Sequence, residues 1–248
     1  MTATKMISTE FFPETADIET SSDAYASRFS GATGDWLLKV QANATLAMLD
    51  SYKEAKILEV GGGHGQLTSH LIAAGHKVTV LGSAEVCEKR IRTLVEAGDC
   101  RFEVGNVLAL PYEDDAFDVV ISYRFLAHVE QWQAFLSELS RVAKQAVIVD
   151  YPTLRSVNYV APLLFSAKKN MEGNTRPYTC YDESELLAYM QTSGWQMGDR
   201  YAQYFWPMVL HRMLAKPGLS SALEGIARRL GLTGYLGSPV ILKWVKAK

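Results

Sequence analysis

A cluster of glycines at positions 61, 62, 63 and 65 is the part of this sequence best suited to holding a ligand. It follows residues 56–60, which predict a short buried strand, and precedes residues 66–74, which predict a helix. Glycines after a strand allow a tight turn and a close approach of a ligand to the backbone, and the next helix offers free N–H groups. The loop therefore predicts a ligand site at the C-terminal edge of a parallel sheet. The alternative is a glycine-rich turn that binds nothing.

The spacing of the glycines restricts the ligand. A dinucleotide fingerprint requires G-x-G-x-x-G, but its third glycine would fall on Gln66 or on Thr68, depending on the register. The Gly-Lys-Ser/Thr sequence of a phosphate-binding loop is absent. A nicotinamide or flavin dinucleotide is therefore disfavoured, although a dinucleotide oxidoreductase stays a third and weaker hypothesis.

Glu59, Gly61, Gly63 and Gly65 instead match the pattern E/D-x-G-x-G-x-G, and the run resembles motif I of class I S-adenosylmethionine-dependent methyltransferases. The likeness extends over about residues 55–151 and is closest to the small-molecule enzymes of methyltransferase type 11. Segments 105–107, 110–112, 117–120, 126–129 and 139–142 carry it, in the family's order. The resemblance implies a Rossmann-like fold, S-adenosylmethionine as cofactor and S-adenosylhomocysteine as product.

The resemblance also implies roles for individual residues. Glu59 would order the loop and position the methionine amino group, Asn106 would accept a hydrogen bond from the adenine, and Tyr25 and Arg28 would close over the methionine carboxylate. A core tyrosine and a solvated arginine are the alternative for that last pair. The expected cofactor-binding residues are Tyr25, Arg28, Glu59, Gly61, Gly62, Gly63, Gly65, Gly82, Ser83, Asn106, Val107 and Tyr123.

The second predicted strand departs from the family pattern. It ends in Leu81-Gly82-Ser83, where relatives carry an acidic residue that binds both ribose hydroxyls. Ser83 or Glu85 would have to replace it, and losing a charged partner costs about 1.5–3 kcal/mol. We therefore expect Gly82→Asp to tighten cofactor binding. The alternative is that Gly82 needs a positive φ or that another side chain already fills the space, in which case Asp would weaken binding or destabilise the fold. We also expect Gly63→Val to abolish binding and leave the fold intact, because the loop is expected to be exposed.

Methyl transfer from a sulfonium needs little from the protein beyond approach geometry and desolvation. A base is required only when the acceptor loses a proton during attack, and His128 is the candidate; a pocket-lining role is the alternative. The acceptor-binding candidates are Arg124, Tyr151, Tyr159 and Arg176. Aromatic and basic side chains at 152–180 favour an aromatic or amphipathic acceptor with an acidic group, whereas a lid packed on itself is the alternative.

Strands that alternate with helices from residue 56 onward predict an α/β fold with a mostly parallel sheet. Together with the resemblance, this gives a three-layer, seven-stranded sheet whose last strand is antiparallel, plus a helical or irregular lid. We expect a polar segment at 1–23 and one domain at 24–248, with lid insertions at about 152–180 and 207–237. The last two strands are predicted at 201–206 and 239–245, and the helix at 219–230 is expected to turn its apolar stripe to the core.

Composition excludes several other classes. The chain has 25 basic and 27 acidic residues, a net charge of −2 and no long run of one sign, which argues against nucleic-acid binding. Its three cysteines are far apart, which predicts neither a disulfide framework nor a metal site. The sequence shows no signal-peptide pattern and no stretch of about 20 apolar residues, so we expect a cytoplasmic protein without stable membrane insertion. Its oligomeric state stays open.

Two functional hypotheses lead. The first is methyl transfer to a small-molecule acceptor. The alternative, suggested by the missing ribose carboxylate, is a cofactor-binding module of the same fold without methyl transfer activity.

Overall fold

The sheet has the predicted topology. The computed structural model describes residues 12–156 and 178–247, and within them seven strands pair in the order β3-β2-β1-β4-β5-β7-β6. Strands β1 to β5 are parallel, and β7 runs antiparallel to β5 and β6. The strands are β1 (Lys56–Val60), β2 (Lys77–Gly82), β3 (Cys100–Val104), β4 (Phe117–Ser122), β5 (Ala143–Tyr151), β6 (Trp195–Ala202) and β7 (Val240–Lys246).

Helices connect the strands on both faces of the sheet. Short 3-10 turns cover Gly62–His64, Glu85–Arg90 and Leu126–His128. In the described part of the chain, no helix combines the length and the apolar character needed to cross a membrane. The helices are α1 (Ala16–Thr20), α2 (Asp23–Ser27), α3 (Gly31–Met48), α4 (Thr68–Ala73), α5 (Arg92–Glu96), α6 (Trp132–Val142), α7 (Glu183–Thr192), α8 (Met208–Leu214), α9 (Pro217–Arg229) and α10 (Leu232–Leu236).

The sheet is covered on both faces because its central strands are apolar throughout. Ile57 of β1 belongs to one buried cluster, and the next residue, Leu58, belongs to the cluster on the opposite face. Val119 and Val120 of β4 divide in the same way. Strands buried on both sides are typical of a parallel sheet between helical layers, and the predicted three-layer Rossmann-like architecture is confirmed.

The strand order reverses direction at β1, which places the C-terminal ends of β1 and β4 side by side. Glu59 pairs with Ile121 in register, so the glycine loop after β1 lies next to residues 123–125 after β4. In open α/β sheets, ligands bind in the crevice at such a reversal. The fold thus brings the predicted cofactor loop and Arg124 to one edge.

Two buried carboxylates fix the N-terminal segment to the domain. Glu14 accepts hydrogen bonds from the backbone N–H groups of Glu130 and Gln131, at 2.8 and 3.1 Å, where α6 begins. Asp17 accepts one from the backbone N–H of Ser83 at 2.6 Å. Residues 14–21, which the sequence analysis assigned to a separate polar segment, therefore pack within the domain.

Other local predictions differ from the structure. Strand β6 begins six residues earlier than predicted. Ser83, suggested as a replacement for the acidic residue that binds the ribose, donates its hydroxyl to Asp17. The α9 helix forms as expected, but its buried residues are Ser220, Glu224 and Ala227, whereas Leu219 and Ile226 are exposed and Leu223 is half-buried. The prediction that its apolar stripe faces the core is wrong.

The Glu14 contact gives a first test. Glu14→Ala removes the acceptor for two N–H groups at a helix start, so we expect the free energy of unfolding to fall by about 1 kcal/mol. Glu19→Ala, on the same segment and without such an N–H partner, is the matched control. Equal denaturation midpoints for the two variants would contradict a structural role for Glu14.

Candidate functional site

The glycine loop turns sharply at both of its ends. Gly61 and Gly65 have φ values of +72° and +66°, the left-handed region that favours glycine, and they flank the 3-10 turn. The N–H of Gly61 donates to the carbonyl of Leu81 at 2.8 Å, which ties the loop to the end of β2. Gly65 is followed three residues later by the start of α4.

The three consecutive glycines are required by packing within the protein. A Cβ atom on Gly61 would lie 2.5 Å from the ring of Phe125, and one on Gly62 would lie 2.4 Å from Cγ of Glu59. A Cβ on Gly63 would lie 2.3 Å from the carbonyl oxygen of Cys87 and 2.7 Å from Oγ of Ser21. All three glycines are buried. The expectation of an exposed loop is wrong, and Gly63→Val would disturb the fold through its clash with backbone.

Glu59 lies beneath this loop with one oxygen satisfied and one unpaired. Its Oε2 accepts a hydrogen bond from the hydroxyl of Thr68 at 2.7 Å, and its Oε1 is buried without a partner among the described residues. Burial raises the pKa of Glu59 from 4.5 to about 7, although the bond from Thr68 acts in the opposite direction. A buried, unpaired carboxylate oxygen favours a cationic hydrogen-bond donor as its ligand.

The end of β2 carries a carboxylate that the sequence analysis missed. Both oxygens of Asp17 accept hydrogen bonds from Ser83, one from the backbone N–H at 2.6 Å and one from the hydroxyl. Ser83 and Asp17 are buried, whereas Glu85, the other suggested replacement, is exposed. No spacing signal in the sequence connects Asp17 with a strand end 66 residues later.

The space next to Gly82 is already filled. A Cβ on Gly82 would lie 2.8 Å from Cβ of Cys87 and 3.0 Å from the ring of Phe102, and Gly82 has no positive φ. Glycine is present because neighbouring side chains occupy the site, so the expectation that Gly82→Asp tightens binding is not supported by the geometry.

Arg124 and Tyr25 meet after β4. The guanidinium of Arg124 donates to Gln41 at 2.6 Å and to the Tyr25 hydroxyl at 3.4 Å, and it lies 4.3 Å from the ring centroid of Phe29. The Nε of Arg124 is buried without a partner among the described residues. Arg28 lies 5.2 Å from the Tyr25 ring. The structure thus brings the expected cofactor residues Tyr25 and Arg28 together with the expected acceptor residue Arg124.

The remaining predicted cofactor residues, Asn106, Val107 and Tyr123, follow the C-terminal ends of β3 and β4, and their polar groups are partly used. Asn106 Oδ1 accepts from the N–H of Leu108 at 3.0 Å, which closes a tight turn, and Val107 is buried. Tyr123 is buried, and its hydroxyl is within 2.7 Å of the Thr45 hydroxyl. Burial raises the pKa of Tyr123, so this hydroxyl stays neutral.

The histidines differ in environment. His64 is buried in the loop, its Nδ1 accepts from the N–H of Gln66 at 3.1 Å, and burial together with the charge of Arg124 lowers its pKa to about 3. It is therefore neutral at physiological pH. His128 lies partly exposed in the turn that follows Phe125. Its role as a general base remains a prediction.

The predicted acceptor residues separate into two groups. Tyr151 is fully buried, and its hydroxyl donates to Glu183 at 2.5 Å, a carboxylate that also accepts from Arg200 at 2.6 Å. Tyr151 thus anchors α7 to the sheet. Tyr159 and Arg176 lie outside the described residues.

Comparisons with known proteins agree with this architecture. Residues 58–149 match the family model Methyltransf_11, described as a methyltransferase domain. The chain is 31% identical over 103 residues to an uncharacterized methyltransferase of Schizosaccharomyces pombe, covering 37% of each protein. It is 30% identical over 112 residues to a phthiotriol/phenolphthiotriol dimycocerosates methyltransferase of Mycobacterium tuberculosis, covering 43% of this chain and 40% of that protein. The chain thus spans less than half the length of these curated relatives.

Among solved structures, the fold resembles the magnesium protoporphyrin IX methyltransferase of Synechocystis PCC 6803, crystallised with bound SAH. The TM-score is 0.60 at 15% identity, over 91% of this chain and 93% of the other. The resemblance inferred from the glycine loop is confirmed over residues 58–149, the part of the chain that matches the model of a methyltransferase domain.

The raised pKa of Glu59 predicts how stability depends on pH. Between pH 4.5 and about 7 the folded protein holds a proton that the unfolded chain has lost, so stability falls as pH rises through this window. Glu59→Gln has no proton to release in this window, so it should not lose stability there. Its free energy of unfolding at pH 8 should exceed that of the parent by up to about 3 kcal/mol. Melting temperatures of both proteins from pH 4.5 to 8 test it, and parallel curves would contradict the assignment.

Crowding at Gly82 gives a second prediction. Gly82→Asp should lower the melting temperature by several degrees, because its Cβ enters space held by Cys87 and Phe102. Gly218→Asp is the matched control, since nothing lies within 4 Å of the added Cβ there. A stable Gly82→Asp variant that binds S-adenosylhomocysteine more tightly would restore the original expectation.

Proposed function

We propose that this protein is an S-adenosylmethionine-dependent methyltransferase acting on a small-molecule acceptor. The single observation that carries the proposal is the buried Oε1 of Glu59, which has no partner among the described residues and lies beneath a motif I loop at the reversal of a parallel sheet. That oxygen fits the α-ammonium group of the cofactor's methionine part. When bound, S-adenosylmethionine would supply an activated methyl group on a sulfonium.

Further residues of the chain would hold the cofactor. Glu59 would accept from the methionine ammonium, and Tyr25 and Arg28 would close over the methionine carboxylate. Gly61, Gly62, Gly63 and Gly65 would place the backbone beside the cofactor, and Gly82, Ser83, Asn106, Val107 and Tyr123 would border its nucleoside part. Arg90 donates hydrogen bonds to the carbonyls of Ser21 and Ser22 at 3.0 and 3.1 Å, which holds the N-terminal helices α1 and α2 over the loop. These helices would therefore exclude water from the bound cofactor.

We further propose that Asp17 takes the part of the missing acidic residue at the end of β2. A carboxylate has about four acceptor sites, and Ser83 uses two of those of Asp17. Its position beside the first residue after β2 is where related enzymes place a carboxylate for the ribose hydroxyls. If Asp17 on the N-terminal helix α1 supplies the carboxylate, no acidic residue is needed at the end of β2, and the strand can end in Gly82.

For the acceptor, we propose an aromatic or amphipathic molecule with an acidic group. The support is Arg124, a half-buried cation at the acceptor end of the crevice whose Nε has no partner among the described residues. Tyr159 and Arg176 belong to the same proposal on the sequence alone, as does His128 if the acceptor must lose a proton.

Calorimetric titration with S-adenosylmethionine, S-adenosylhomocysteine and NADH, followed by a mass-spectrometric screen of aromatic and amphipathic acids against their neutral amides, tests the function. We expect both adenosyl ligands to bind, NADH not to bind, and a methylated acid to accumulate. Binding without turnover across the panel would favour the cofactor-binding module. Binding of NADH alone would exclude both.

The Asp17 proposal predicts a specific loss. In Asp17→Asn the amide oxygen can accept from the backbone N–H of Ser83 and the amide NH2 can donate to its hydroxyl, so both contacts are kept while the charge is removed. Affinity for S-adenosylhomocysteine should therefore fall by about tenfold while the melting temperature changes little. Glu19→Gln on the same helix is the control. An unchanged affinity in Asp17→Asn would assign Asp17 to structure alone.

A further inference from the structure

Helix α9 presents its apolar side chains to solvent. Leu219, Ile226 and Leu230 are 45%, 56% and 69% exposed, and their spacing of seven and four residues places them on one side of the helix. The opposite side, with Ser220, Glu224 and Ala227, is buried. This is the reverse of the usual arrangement for a surface helix.

The buried side is polar because it holds a carboxylate that organises the preceding loop. Glu224 accepts hydrogen bonds from the N–H groups of Phe205 and Trp206, both at 2.9 Å, and its Oε1 lies 3.0 Å from Nε2 of His211. Rotating α9 to bury its leucines would therefore break three contacts of a buried carboxylate. The helix is fixed with its apolar side outward.

Neighbouring helices extend this surface. Met213 of α8 is 64% exposed and Tyr235 of α10 is 66% exposed, and α9 packs against both helices. We call Met213, Leu219, Ile226, Leu230, Leu232 and Tyr235 the apolar face. An exposed apolar surface of this kind marks an interaction site.

Charge indicates what covers the apolar face. Between residues 205 and 237 the basic residues are Arg212, Lys216, Arg228 and Arg229, and the one acidic residue is the buried Glu224, in a chain whose net charge is −2. Lys216 and Arg229 are exposed and belong to α9 or its cap. A second copy of the chain would bring the same positive charge against itself, whereas an anionic surface would be attracted.

We propose that the apolar face binds the surface of an anionic phospholipid bilayer. Helix α9 lies in the plane of the interface, its leucine and isoleucine side chains enter the boundary between headgroups and acyl chains, and Lys216 and Arg229 contact lipid phosphates. A tyrosine at the rim, such as Tyr235, suits the same boundary. The proposal does not depend on methyl transfer.

Flotation of the full chain with vesicles tests this. We expect binding to vesicles of phosphatidylcholine with 30–40% phosphatidylglycerol (about one anionic lipid in three), weak binding to phosphatidylcholine alone, and loss of binding as salt is raised. The double variant Ile226→Gln, Leu230→Gln should lower the bound fraction about tenfold, because two apolar side chains that would be buried in the bilayer become polar. Met197→Gln, at a 48% exposed position on β6, is the control.

Melting temperatures of both variants show that the fold is intact. Equal vesicle binding by the double variant and the parent would overturn the proposal. The proposal would also be overturned if the parent protein did not bind anionic vesicles and light scattering showed a dimer that the double variant does not form. The apolar face would then join two copies of the chain.

Discussion

Three glycine α-carbons pack against residues that lie at or just after the C-terminal ends of β1, β2 and β4. Phe125 from the end of β4, Glu59 from β1 and Cys87 from the turn after β2 each fill the volume that a Cβ would need. This arrangement limits how closely β1, β2 and β4 approach at their C-terminal edge, where the proposed ligand site lies. The same packing buries Glu59 and leaves one of its oxygens unpaired, so the structural constraint and the proposed chemistry have one origin.

The N-terminal segment completes this edge from outside the sheet. Its helices are short and are held by contacts with the rest of the domain. Asp17 accepts from Ser83, Glu14 accepts from the backbone at the start of α6, and Arg90 donates to the carbonyls of Ser21 and Ser22. In the proposed function, Asp17 would move to a separate element a role that the family resemblance places at a strand end. Such an element can change its distance from the crevice, which a residue within the sheet cannot do.

The features of the fold that depend on local pattern could be predicted from the sequence. The limits of β1 were predicted residue for residue, because an apolar run bounded by turn residues identifies a buried strand. Strand β6 was misplaced because it is an edge strand whose middle residues, Gln196, Gly198 and Asp199, carry no apolar signal. The side of α9 that is buried depends on the bonds of Glu224 to Phe205 and Trp206, and the position of Asp17 depends on Ser83. Contacts between distant residues decide both, and no local periodicity encodes them.

The bond between Glu130 and Glu14 also bears on how the chain is made. These residues are 116 positions apart, so when residue 14 leaves the ribosome its partner has not yet been synthesised. At roughly 5–20 residues per second, the segment waits several seconds or longer before the start of α6 exists to receive it. Helices as short as α1 and α2 are not stable alone during that interval. A segment synthesised before the sheet is therefore among the last to find its place, and it covers the loop only after the sheet beneath it has formed.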